Sequence, residues 1–228
     1  MKIVTIIKCN EGRINCLKIL EDGRLAASDS KSNLIIYNLE TFNSDIIIKN
    51  NLGWLYNFTQ LKNKNIICSF DSYYTLKIIK IKNNNEYEDI QIIKNAHNNK
   101  ITKIIELKNE NIITFSYDYS FKIWKLNNNN KYEKINEFKD INQLSDGLEI
   151  KDNEILYELN TYLDSLVFYN LDKNKKIKIL NDLKLTITDI GYRIIKLNDD
   201  EVALAGYKKV YLIDINNYGI LNEINCDD

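Results

Sequence analysis

The chain holds a single histidine, His97, and its chemistry is the first thing to weigh. Imidazole titrates near neutrality, so a histidine beside a carboxylate or hydroxyl can begin a general base or a metal site. Downstream of it stand Thr114, Asp118 and Trp124. Catalysis would need a nucleophile paired with the base, and a metal would need further ligands at short spacings. Neither pattern accompanies His97. Side chains of these types can also satisfy one another's hydrogen bonds. The Trp N–H donates, a hydroxyl and an imidazole do both, and a carboxylate accepts. Each such bond stabilises by roughly 0.5–1.5 kcal/mol net, while an orphaned buried partner costs about 1–3 kcal/mol. By their positions in the repeat set out next, His97 is expected to be structural, and Asp118 to be a turn carboxylate before it is an acid or base. Only seven glycines occur, with no Gly-rich phosphate loop among them. No catalytic residue, metal or cofactor is expected.

These residues need a scaffold, and the stretch from His97 to Leu126 supplies one. Two apolar runs with strand chemistry, Ile101 to Leu107 and Ile112 to Phe115, precede a polar turn at Tyr117–Ser120 and a third strand through Trp124. The pattern recurs about every 42 to 45 residues. Residues 10–39 align with 97–126 without a gap at an offset of 87, placing Ile14 on Ile101, Leu17 on Ile104 and Leu20 on Leu107. Leu55, Phe58, Leu61 and Ile66 match the same columns at an offset of 46. A fourth repeat carries Leu144, Ile150, Ile155 and Leu166, and a degenerate fifth carries Ile194, Leu197, Val202 and Leu204. Repeats near 10–49, 50–95, 96–138, 139–180 and 183–225 each add a weaker fourth strand. The runs Asn83–Asn85 and Asn127–Asn130 read as solvated turns. No segment sustains a 3.6-residue period, so the expected fold is all-β. A repeat of this length and content predicts one β-propeller domain over 1–228, with about five four-stranded blades. Residues 1–8 read as an extra closing strand. With it the fourth strands outnumber the blades, so an incomplete ring, or one completed by a partner chain or missing blades, is expected over a closed five-blade ring.

At His97, Thr114, Asp118 and Trp124 the third repeat resembles a WD40 repeat. That family joins a histidine, a second-strand hydroxyl, a turn aspartate and a third-strand tryptophan in one tetrad. The spacings agree, ten residues from Thr114 to Trp124 and six from Asp118 to Trp124. The family's Gly-His is Ala96-His97 here, and its Trp-Asp is Trp124-Lys125. Elsewhere Asn10, Asn51 and Asp140 replace His, and Tyr37, Ile79, Tyr169 and Ile213 replace Trp. The resemblance implies a non-enzymatic interaction scaffold that binds protein or peptide partners along one rim.

By that resemblance, the rim consists of the loops before each first strand and the second-to-third turns. Arg13, Trp54 and Lys100 occupy equivalent places before the first strands, and Tyr73, Tyr74, Tyr117, Tyr119, Tyr162 and Tyr207 fall in the turns. Arg, Trp and Tyr make binding hot spots, although packing between blades would use the same side chains. A nucleic-acid-binding propeller is the lesser reading and would need Arg13, Lys100, Lys208 and Lys209 to converge with the tyrosines. A propeller enzyme is the least supported. The net charge of −1, from 31 basic and 32 acidic residues, gives no argument for nucleic acid or an anionic membrane. No apolar run is long enough to span a bilayer, and MKIVTIIKC does not read as a signal peptide. Cys9, Cys16, Cys68 and Cys226 form no CxxC pair and are expected as buried thiols of a cytoplasmic protein. Without a secretory signal the sequon at Asn57-Phe58-Thr59 is discounted. The absence of proline and the abundance of Asn, Lys and Ile read as coding bias.

Overall fold

The computed structural model describes residues 12–82, 86–160, 165–181, 183, 194–206 and 208–226. The expected strand at 1–8, Cys9, Asn10, the run 83–85, Tyr162 and Tyr207 lie outside these residues. The described residues form five four-stranded antiparallel sheets. The first holds β1 (Ile14–Ile19), β2 (Leu25–Asp29), β3 (Asn33–Tyr37) and β4 (Ser44–Lys49). The second holds β5 (Leu55–Gln60), β6 (Ile66–Phe70), β7 (Thr75–Ile81) and β8 (Tyr87–Ile93). The third holds β9 (Ile101–Glu106), β10 (Ile112–Ser116), β11 (Ser120–Leu126) and β12 (Tyr132–Lys139). The fourth holds β13 (Gln143–Lys151), β14 (Glu154–Asn160), β15 (Ser165–Asn170) and β16 (Lys175–Leu180). The fifth holds β17 (Ile194–Lys196), β18 (Glu201–Gly206), β19 (Lys209–Asp214) and β20 (Gly219–Asn225). In every sheet the strands neighbour one another in chain order, so each repeat closes on itself as a meander. Among the described residues there is no α-helix; one 3-10 turn covers Ser72–Tyr74.

The turns explain why the strands stop where they do. Between first and second strands the same device recurs. Leu20, Leu61 and Leu107 donate their N–H to Arg24, Asn65 and Asn111 carbonyls, each at 2.8 Å. Inside each turn a side-chain oxygen of Asp22, Asn63 or Asn109 accepts the N–H two residues on, at 3.1 Å. The residue between them is left-handed: Gly23 at φ 84°, Lys64 at 66°, Glu110 at 67°. The Asn content therefore has a structural use beyond composition, because a short amide side chain closes a turn on its own backbone.

Burial follows strand position. Strands β3, β6 and β10 are buried along their whole length, whereas fourth strands β16 and β20 are largely exposed. The chain forms two compact units, one of residues up to Ile104 with Leu126–Glu133 and one of Ile105–Lys125 with the residues from Lys134 on. In the first unit, Leu34, Ile36 and Ile48 of one sheet pack on Leu55, Phe58 and Phe70 of the next. Each such side chain contributes about 1.5–3 kcal/mol by leaving water. In the second unit one core gathers Phe115, Phe121, Tyr157 and Tyr169, and another gathers Leu156 and Phe168 with Val202, Leu204 and Ile213.

First strands take part in the contacts between consecutive sheets. Asn15 on β1 donates to the Leu55 carbonyl at 3.0 Å, and Asn57 on β5 donates to the Thr102 carbonyl at 3.2 Å. The latter bond places the amide of the sequon inside the fold. In the second unit, buried Asp146 on β13 accepts the Ile194 N–H at 3.2 Å. The thiols divide: Cys16 and Cys68 are buried as expected, but Cys226 is exposed because it follows the solvent-facing edge strand β20. Leu197 also departs from its repeat. It lies beyond the three-residue β17 and is 48% exposed, where its counterparts Leu20, Leu61 and Leu107 are buried. No helix among the described residues is long and apolar enough to cross a membrane.

Candidate functional site

Register fixes which side chains share an edge of the first unit. Ile14 pairs with Asp29 and Asn33 with Lys49, so Arg13, the turn Asp29–Asn33 and Lys49 all lie at one end of the first sheet. Leu55 pairs with Phe70 and Leu76 with Ile93, which puts Trp54, the turn Asp71–Tyr74 and Lys94 at one end of the second. The two ends are stitched together. Asn50 donates to the Ser32 carbonyl at 3.2 Å, and the Ser32 hydroxyl donates to the Gly53 carbonyl. The Asp71 N–H reaches the Trp54 carbonyl at 3.2 Å, and the Asn95 N–H reaches the Tyr73 carbonyl at 2.8 Å. Gly53 makes this approach possible. Its φ is +75°, and a Cβ there would sit 1.7 Å from Asp71 Oδ1.

On this stitched edge Trp54 stands out. It is 55% exposed and meets Tyr56 edge-on, with ring centres 6.2 Å apart. The Lys100 ammonium lies 4.2 Å from the Tyr56 ring centre, a cation–π contact. Tyr73 is 67% exposed at φ 55°, with the Lys94 ammonium 5.9 Å from its ring. Tyr74 is half-buried; Arg13 is exposed, and its N–H donates to Ser30 Oγ at 3.1 Å. Trp54 and Tyr73 are thus both largely exposed, each with one ring or cation beside it.

The charges at this edge have one dominant sign. Arg13, Lys31, Lys49 and Lys94 are exposed, and Lys100 is half-buried. Among the described residues of this edge the carboxylates are Asp29 and Asp71. Asp29 is fully buried and accepts from Lys31 N, Asn33 N and Asn33 Nδ2 at 2.9, 2.8 and 2.7 Å. Asp71 buries one carboxylate oxygen beside Gly53. At the other end of the first sheet Glu21, Asp22, Glu40 and Asp45 stand with Arg24, and Arg24 holds Asp22 at 2.8 Å. Burial pushes the Asp22 carboxyl up, but the bonds and charge of Arg24 outweigh it and leave the pKa below the usual value.

In the second unit, Trp124 Nε1 donates to Thr114 Oγ1 at 2.8 Å between β11 and β10, and both residues are buried. Asp118 accepts from the Ser120 N–H at 3.1 Å and the Ser120 hydroxyl at 2.6 Å, and its own N–H reaches Ser116 Oγ at 3.0 Å. It closes a turn, as expected. His97, in the first unit, is buried. Tyr117 is half-buried; Tyr119 is 48% exposed at φ 67°, and its carbonyl accepts from the Asp140 N–H at 2.7 Å, as the Tyr73 carbonyl does from Asn95. Lys208 is exposed, whereas Lys209 is paired with Glu223 at 2.5 Å. Asp140, which replaces His in its repeat, accepts from Tyr157 at 2.8 Å and from Lys176 at 2.8 Å. Among the described residues no three His, Cys, Asp or Glu side chains gather to hold a metal ion.

The sequence singled out Arg13, Trp54, Tyr73 and Lys100 but missed Tyr56, Lys31, Lys49 and Lys94. Tyr56 carried no clear signal, because Trp54 lies just outside β5 and the register of that strand shifts between Leu55 and Asn57. Comparison with models of known protein families and with curated proteins finds no match to this sequence.

Proposed function

We propose that the five sheets are blades of a WD40-like β-propeller, and that the chain is a non-enzymatic scaffold that binds a protein or peptide partner through the edge bearing Arg13, Trp54, Tyr73 and Lys100. The blade reading draws on the repeated meander, the contacts between successive first strands and the rise in exposure toward fourth strands. The Thr114–Trp124 bond supports the WD40 likeness within the third sheet. The observation that carries the binding reading is Trp54, more than half exposed yet braced through Tyr56 and Lys100. A rigid, amphipathic ring beside cations is the composition of an interface centre, where truncating one residue costs about 2 kcal/mol or more.

The test is affinity purification of the tagged chain with mass spectrometry, run beside the double variant Trp54→Ala/Arg13→Ala. The partners retained by the parent chain should be lost from the double variant, while the melting temperature stays within about 2 °C, as for surface changes. A large fall in melting temperature would place these residues in the core and refute the reading.

A further inference from the structure

We infer that the partner segment at this edge is an acidic peptide with an apolar or aromatic residue among its carboxylates, bound by the cations that surround Trp54 and Tyr73. This rests on the edge being the binding site. The charge distribution adds the partner's chemistry. The chain as a whole carries a net charge of −1, yet Arg13, Lys31, Lys49 and Lys94 lie at one edge of two stitched sheets, with Lys100 joined to them through the Tyr56 ring. Among the described residues of these two sheets, Asp29 is buried and accepts from three backbone and amide donors, and Asp71 buries one carboxylate oxygen against Gly53. The field offered to a partner is therefore positive, with two exposed rings inside it. A potential of this kind steers an anionic segment and raises its association rate. Trp54 supplies the apolar contact that holds the segment once it arrives.

A nucleic acid shares the anionic chemistry but fits the observations less well. Its uniform charge is read by a cationic stripe that follows the backbone. Here the far end of the first sheet is rich in carboxylates, which would repel a phosphate backbone running past the edge, and Lys209 is occupied by Glu223. A short acidic segment matches a patch of this extent.

The experiment selects binders from an unbiased degenerate peptide library displayed on phage, using the full chain. The strongest peptide is then synthesised with a fluorescent label for anisotropy titration against the parent, Trp54→Ala, and the double variant Lys31→Glu/Lys94→Glu. The selected sequences should be enriched in Asp and Glu around an apolar residue. Affinity should fall about thirtyfold for Trp54→Ala and about tenfold for the charge reversal, with the parent's affinity weakening as salt is raised. Neutral or basic selected sequences that still need Trp54 would overturn the acidic partner and leave the binding edge intact. No enrichment, or binders indifferent to Trp54→Ala, would overturn the edge itself. Displacement of the peptide by single-stranded DNA at lower concentration than by unlabelled peptide would overturn the inference in favour of nucleic acid.

Discussion

Gly53 shows how much one missing Cβ can decide. It lets the loop before β5 lie against the turn Asp71–Tyr74, and it takes the left-handed φ of 75° that the loop needs. Alanine would meet the Asp71 carboxylate and Ser72 Oγ and would carry backbone strain as well. Gly53→Ala should lower stability by about 2 kcal/mol, read from the urea midpoint; an unchanged midpoint would mean the loop and turn separate at no cost. Tyr157 makes a second residue-scale case. Burial first, and then the charge of Asp140 that its hydroxyl donates to, push its pKa above the ordinary 10.0. A group whose folded pKa is raised contributes stability below its unfolded pKa and loses it as the pH climbs past that value. Stability should therefore decline above pH about 10, with one such proton worth about 1.4 kcal/mol per pH unit. Tyr157→Phe should be less stable at neutral pH and decline less steeply in alkali, measured by denaturation at a series of pH values. An identical alkaline slope in the two proteins would refute this.

At the scale of elements, the repeated turns carry the clearest physics. Gly23, Lys64 and Glu110 occupy one position in three equivalent turns, all left-handed, and only the first is glycine. A side chain there costs about 1–2 kcal/mol, and glycine returns about 0.5–1 kcal/mol of that to the unfolded chain's entropy. Lys64→Gly and Glu110→Gly should each stabilise by about 0.5–1 kcal/mol net, seen as a higher melting temperature; destabilisation by either would show that its side chain makes a contact worth more than the strain. These turns also show where sequence reading reaches its limit. Strand order and boundaries were legible because apolar columns repeat at constant offset, so Arg13, Trp54 and Lys100 could be placed before β1, β5 and β9 in advance. Lys64 and Glu110 were not legible as left-handed, because Lys and Glu lack glycine's signature there. Asn63 and Asn109 were hidden by the Asn-rich composition. The positive edge was hidden for another reason: Lys31, Lys49 and Lys94 sit on separate segments, and only register brings them to one end of the sheets.

Across the whole molecule the same gradient repeats in each sheet, and it makes a prediction about local opening. Second and third strands have ladder partners on both sides and buried side chains, as in β6 and β10, buried throughout. Fourth strands end their sheets and carry exposed side chains, as β16 and β20 do. Opening an edge strand breaks one ladder and exposes little apolar surface; opening a middle strand breaks two ladders and empties part of a core. Local stability is set by those two quantities. In hydrogen exchange read by mass spectrometry, β16 and β20 should exchange about thirtyfold or more faster than β14 and β18 in the same sheets, a difference of about 2 kcal/mol in opening free energy. The order should be set by a strand's place within its sheet, since the middle strands carry the side chains that fill the cores between neighbouring sheets. Protection that followed position along the chain, with all four strands of one sheet alike, would mean that whole sheets open together and that the strand, on which the repeat reading is built, is not the unit of stability.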